Sequence, residues 1–337
     1  MPSLRLRADR RSSGRPAFTI VEILAVIGII AVLTGLLLVG LQSAQRAALR
    51  TKDRNSLRQI YIAWDTYASA NDGRMIPGWL SEDVQDNWRA RYRDFDGETL
   101  DASDAAGYAW RLMPYLDNQT DPFINYRDDQ REINNALRGA DYAGHEEAVA
   151  TFGREPGFGY NAYYLGGWYD DPTRPRIPRY ATAEWEKEGS DGTTRTVRGG
   201  VVIQGRDQIR RPSEVIAFAP STRRTPGEYQ YETAFIPGAP WVSPPRRDER
   251  TIWGPFTGQL SSVDGGGGAG VAVAGGGSLS VFVEDAVPLR RDGRLALVLH
   301  CDSSVSEEAL GGLLDMRKWI DVASESNARP NEFSHTE

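Results

Sequence analysis

The stretch FTIVEILAVIGIIAVLTGLLLVGL, residues 18–41, decides the architecture. From Ile23 to Leu41 it runs 19 residues without a charge. As a helix rising about 1.5 Å per residue, that is long enough to cross a bilayer. Residues 1–17 (MPSLRLRADRRSSGRPA) precede it and carry Arg5, Arg7, Arg10, Arg11 and Arg15 against Asp9. A secretory signal has an apolar core of roughly 7–15 residues and then a small-x-small cleavage site. Here the run is longer and no such pattern follows. A plain single-pass anchor accounts for the length but not for Glu22. A carboxylate inside an apolar span is costly unless it is paired or snorkels to the interface.

The helical signal continues past the apolar run. No proline occurs between Pro16 and Pro77. Leu57, Ile60, Tyr61, Trp64, Tyr67 and Ala68 recur at spacings of three and four, which gives one apolar stripe on a helix. Asn71-Asp72-Gly73 is a stop signal, because Gly takes the left-handed C-terminal conformation. A helix from Phe18 to about Ala70 is roughly 80 Å long. Gly28, Gly35 and Gly40 suit close helix contacts in a membrane. Charge does not orient the segment. Arg46, Arg50, Lys52, Arg54 and Arg58 against Asp53 balance the basic leader on the other side.

The remainder reads as a folded domain. The 337 residues are 40% hydrophobic and 25% charged, which excludes a disordered or collagen-like chain and a polytopic membrane protein. The net charge of −7 argues against a nucleic-acid partner. Cys301 is the one cysteine, so neither an intramolecular disulfide nor a Cys-based zinc site can form. Three histidines (His145, His300, His335) argue against a His-built metal centre. Residues 131–137 are a short helical candidate. Residues 201–204, 214–219, 229–236, 279–283 and 294–300 read as strands, separated by turn-rich segments at 220–226 and 237–245. The expected fold class is α+β, a long N-terminal helix packed on a mainly antiparallel sheet. The expected organisation is a leader (1–17), a transmembrane half of the helix (18–41), an amphipathic half (42–72) and a soluble domain (73–337).

The string Ala17-Phe18-Thr19-Ile20-Val21-Glu22 resembles the processing site of type IV pilins and type II secretion pseudopilins. Ala17 stands where that family usually has Gly. The resemblance implies a pilin-like fold and cleavage by a prepilin peptidase between Ala17 and Phe18, followed by methylation of the new Phe18 amine. It also implies assembly through Glu22, whose carboxylate neutralises that amine on a neighbouring pilin or pseudopilin subunit. The leader would then be cytoplasmic, the helix in the inner membrane, and the soluble domain in the periplasm or extracytoplasmic space. Residues 67–73, 108–117, 157–168, 211–221 and 297–305 are similar to a subgroup of pilin-like proteins abundant in planctomycete-type bacteria. In the last of these, Asp302-Ser303-Ser304 replaces the subgroup's Asp-Gly-Ser.

Other chemistry has weaker signals. No Gly-x-Ser-x-Gly elbow occurs. His300 and Cys301 are adjacent at a strand end, where neighbouring side chains point to opposite faces, so a buried structural thiol is the default for Cys301. The glycine run at 264–270 lacks the Gly-Lys-Ser/Thr ending of a phosphate cradle and reads as a surface loop. Calcium is conceivable at Asp302, Ser304 and Glu307, since some pseudopilins, which this chain resembles, bind it in a C-terminal loop. The plain alternative there is a solvated turn with Ser306 as the N-cap of a helix. No carboxylate pair stands out for glycosidase chemistry. Trp79, Trp88, Trp110, Trp168 and Trp253 would suit a sugar-binding face or simply fill a core.

The expectation is therefore a structural subunit with no catalytic activity and no resident cofactor. Its partners would be a prepilin peptidase, sister subunits and inner-membrane lipid. The alternatives are a membrane-anchored extracytoplasmic binding protein (for example for polysaccharide) or a hydrolase that uses the leader only for export, and an uncleaved single-pass protein.

Overall fold

The structure, a computed structural model, describes residues 20–124, 126–127, 129–139, 144–179, 182–188, 192–226, 233–245, 286–287 and 295–323. The chain divides into two compact units, Met1–Thr51 and Lys52–Glu337. A single helix, α1 (Ile20–Ala70), contributes to both. It ends where the sequence predicts. Asp72 and Gly73 take left-handed φ values of 55° and 78°, and the Gly73 amide donates to the Ala68 carbonyl at 2.8 Å.

The second unit is an α+β domain. Its helices are α2 (Glu82–Trp88), α3 (Ala109–Leu112), α4 (Asp121–Ile124), α5 (Gln130–Ala136), α6 (His145–Arg154) and α7 (Leu310–Leu313). Its strands are β1 (Trp79–Leu80), β2 (Phe158–Tyr160), β3 (Trp168–Tyr169), β4 (Thr182–Glu188), β5 (Thr194–Gly200), β6 (Ile216–Pro220), β7 (Thr222–Pro226), β8 (Thr233–Pro237), β9 (Ala286–Val287), β10 (Leu295–His300) and β11 (Val305–Ala309). The central sheet is antiparallel throughout, in the order β11-β10-β6-β2. Around it lie an antiparallel hairpin β4-β5, an antiparallel ribbon β8-β7-β9 and a short parallel pair β1-β3.

The central sheet is covered on both faces, which explains why β10 (LALVLH) is apolar along nearly its whole length. Leu297 and Leu299 enter the cluster that contains Leu57, Ile60 and Trp64 of α1. Ala296 and Val298 point the other way, into a cluster with Leu313, Met316, Trp319 and Ile320. On α1, Ser56 is the first buried residue among those described, and Leu57, Ile60, Ala63, Trp64 and Ala68 follow. Tyr61 and Tyr67 are half-buried against the same core. The Trp64 indole donates to the Tyr160 hydroxyl at 3.2 Å and meets the Phe218 ring edge-on, which fixes the helix over β2 and β6.

Two buried polar residues tie the C-terminal segment to the sheet. Asn161 Nδ2 donates to the carbonyls of Ile216 (3.0 Å) and Trp319 (2.9 Å). The Asp321 carboxylate accepts the amides of Arg210 (2.9 Å) and Arg211 (2.7 Å). Glycine is needed at Gly166, where φ is +68° and an added Cβ would stand 1.8 Å from the Ile76 carbonyl oxygen.

Three sequence expectations are corrected. Residues 201–204 form no strand. Ile203 makes an isolated parallel bridge to Leu165, while Gln204 accepts from Met75, so the segment serves two neighbours one residue at a time. The turn-rich segment 220–226 contains β7, with its prolines at the strand ends, where a missing donor is tolerated. Ser306 does not cap a helix; it lies within β11, paired with Val298. The strands expected at 214–219 and 294–300 appear as β6 and β10, and residues 131–137 appear as α5. The candidate strand at 229–236 appears in its latter part as β8. The candidate strand at 279–283 lies outside the described residues.

Candidate functional site

The most unusual surface in the first unit is α1 itself. It is long and apolar enough to cross a membrane. Over residues 20–41 its described large apolar side chains, among them Ile20, Val21, Leu24, Ile27, Leu36 and Leu37, are half to four-fifths exposed. Such a contiguous apolar surface does not face water in a soluble monomer. Within the helix each main-chain group past the first turn is bonded internally, so lipid or other helices can cover it. Added Cβ atoms at Gly28, Gly35 and Gly40 would meet nothing within 4 Å, which leaves room for close approach of another helix. Glu22 lies in the first helical turn, between the exposed Val21 and Ile23. A carboxylate there is favoured by the positive end of the helix dipole. Ala17 and Phe18 lie outside the described residues.

The calcium candidates are placed in the β10–β11 hairpin. The Asp302 carboxylate accepts the Ser304 amide at 2.9 Å and its hydroxyl, which closes the turn. Glu307 accepts from the Arg54 guanidinium of α1 at 3.0 Å. Among the described residues no group of three or more His, Cys, Asp or Glu side chains is placed to hold a metal ion. Ser303, in the turn between β10 and β11, has a φ of 76°.

Among the described residues, the candidate tryptophans pack on other aromatic rings, Trp110 buried and Trp79, Trp88 and Trp168 half-buried. Trp168 stacks with Trp79 at 5.0 Å and with Tyr163 at 5.0 Å, and Trp241 meets both tryptophans edge-on. Trp88 meets Tyr169, and Trp110 meets Phe152 in the core. Trp253 and the glycine run at 264–270 lie outside the described residues.

His300 and Cys301 do not act on each other. Cys301 is buried, and burial together with the Asp321 and Asp302 carboxylates pushes its thiol pKa up, so it stays protonated and inert. His300 instead bonds the Glu214 carbonyl through Nδ1 (3.1 Å) and the Ser306 hydroxyl through Nε2 (2.8 Å). Burial lowers its pKa, against the opposing pull of the Glu214 carbonyl and of the Glu308 and Asp302 carboxylates. His300 and Ser306 line a cavity of about 440 Å³ together with Ser213, Glu308, Arg317 and Lys318. Sequence reasoning gave Ser306 as a helix N-cap and did not place it beside His300. The signal was present in Val305-Ser306-Glu307-Glu308: read with a period of two, it puts Ser306 and Glu308 on one face and Glu307 on the other.

No family model, no curated protein and no solved structure matches the chain.

Proposed function

We propose that this chain is a prepilin-like structural subunit, processed between Ala17 and Phe18 and assembled through α1 into a type II secretion or type IV pilus-like filament. The observation that carries the reading is the division of labour along α1. From residue 20 to 41 it carries apolar side chains and glycine gaps, with Glu22 its one charge and Thr34 its one neutral polar residue. Its last part, from Ser56, is built into the core of a folded domain. Cleavage would create a cationic amine at Phe18. In a low-dielectric helix bundle, that amine and the Glu22 carboxylate of an adjacent subunit would neutralise each other, and each would lower the cost of burying the other. The leader would stay in the cytoplasm, the apolar part in the inner membrane, and the domain outside it. The positive φ at Ser303 supports the likeness to the pilin subgroup, because it is the conformation for which a glycine is selected.

The test is the mature amino terminus. Co-expressed with a prepilin peptidase, the protein should begin at Phe18 by mass spectrometry, with the amine methylated. Glu22→Ala should be cleaved normally but fail to cross-link to sister subunits. A chain still beginning at Met1, or cut after residue 41, overturns the reading.

A further inference from the structure

We propose that Ser306 is an activated nucleophile, with His300 as its base, in a cavity that takes esters of small, uncharged polar acids. The geometry carries the assignment. The Glu214 main-chain oxygen can only accept, so the hydrogen-bond network assigns the imidazole proton to Nδ1. Nε2 then presents its lone pair to Ser306, and the hydroxyl must donate to it across 2.8 Å. The other acceptor in reach, Glu308 Oε1, is farther, at 3.3 Å. The result is a nucleophile held on a base that is itself oriented by a third group, which is the arrangement that activates a serine.

The elements hold this geometry rigidly. His300 ends β10 and Ser306 sits on β11, so the two are joined by a closed hairpin with a hydrogen-bonded turn. Glu214 leads into β6, the other neighbour of β10, and its side chain is tied to Arg211 at 3.0 Å. The cavity volume of about 440 Å³ lies in the range that holds small ligands. The charged side chains that line it are each paired: Lys318 with Glu308, Arg317 with Asp315, and Glu214 with Arg211. That leaves no single-sign field to select an ion and favours a neutral polar acyl group.

In the reaction, Ser306 Oγ forms a bond to the acyl carbon and the bond to the leaving alkoxide breaks. The serine proton passes to His300 Nε2 and from there to the leaving oxygen. Water then adds to the acyl-serine with His300 again taking the proton, and the acid departs as Oγ is restored. This activity is independent of filament assembly.

The experiment labels the full-length protein in detergent with a fluorophosphonate, which forms an Oγ–P bond as fluoride leaves. Peptide mass spectrometry then reads the adduct. The expected result is an adduct on Ser306 and none on Ser213, which lines the same cavity without a histidine partner. Ser306→Ala should abolish it. His300→Asn keeps a donor for the Glu214 carbonyl but removes the base, so labelling should slow by about 10²–10⁴-fold at an unchanged melting temperature. Should His300→Asn unfold, the wild-type comparison of Ser306 with Ser213 decides alone. No adduct on Ser306, equal labelling of Ser213, or a folded His300→Asn protein that labels as fast as wild type overturns the proposal.

Discussion

Replacing Trp64 with alanine removes the largest side chain that α1 contributes to the core, where it is 2% exposed. Loss of a buried tryptophan costs about 3–5 kcal/mol from transfer and the residual cavity. The Tyr160 hydroxyl, fully buried, also loses the indole N–H that it accepts, which adds about 1–3 kcal/mol. Because the two terms share atoms, the expected total is about 4–6 kcal/mol. For a domain of this size that lowers the melting temperature by roughly 10–20 °C. Trp64→Phe keeps a ring against Phe218 and loses only the donor and part of the volume, so it should cost about 1–3 kcal/mol. Ile62, two residues away, is 61% exposed, and Ile62→Ala should stay within about 0.5 kcal/mol. Urea unfolding of the full chain in detergent, followed by near-ultraviolet circular dichroism, gives all three numbers from the midpoints at constant slope. A loss below about 2 kcal/mol for Trp64→Ala, or an equal loss for Ile62→Ala, would refute the claim that this face of α1 is a core element.

Two further outcomes follow from the domain. His145 bonds the Ala136 carbonyl at 2.8 Å and the Asp94 carboxylate at 3.3 Å, and these hold its pKa above the ordinary 6.5. Its contribution is therefore full below about pH 6.5 and lost as pH rises through the raised value, so the stability gap between wild type and His145→Gln should close between mildly acidic and mildly alkaline buffer. A gap that widens with pH contradicts this. Ser303 holds a φ of 76°, which costs a non-glycine residue about 1–2 kcal/mol. Ser303→Gly should raise stability by about 0.5–1 kcal/mol after the extra freedom of glycine in the unfolded chain is counted, and a loss measured by denaturant midpoint would show that the serine side chain holds the turn.

What was legible in the sequence had a local cause. The course of α1 follows from an unbroken apolar run, a stripe at spacings of three and four, and the Asn71-Asp72-Gly73 stop. Strand β10 is a continuous apolar run because both its faces are covered. The misread segments had non-local causes. Residues 305–309 carry a serine followed by two glutamates, a helix-start signature, yet pairing with β10 in the register Leu297↔Glu307 and Leu299↔Val305 makes them a strand. Residues 222–226 look like a turn because of Pro220 and Pro226, but β8 and β9 flank them on either side. The Ser306–His300 contact was hidden for the same reason: it exists only once the hairpin register is known.

Arg54 and Glu307 meet although they are 253 residues apart in the chain. At roughly 5–20 residues per second, the ribosome needs about 13–50 s to travel that distance. For most of that interval Leu57, Ile60 and Trp64 have been synthesised, but β10, an inner strand of the sheet that receives them, does not yet exist. The nascent chain must therefore lend its greasy stripe to a temporary host, a chaperone or a bilayer surface, for most of its birth. A translation product that stops before residue 295 is not a smaller working copy but an open core, fit for degradation.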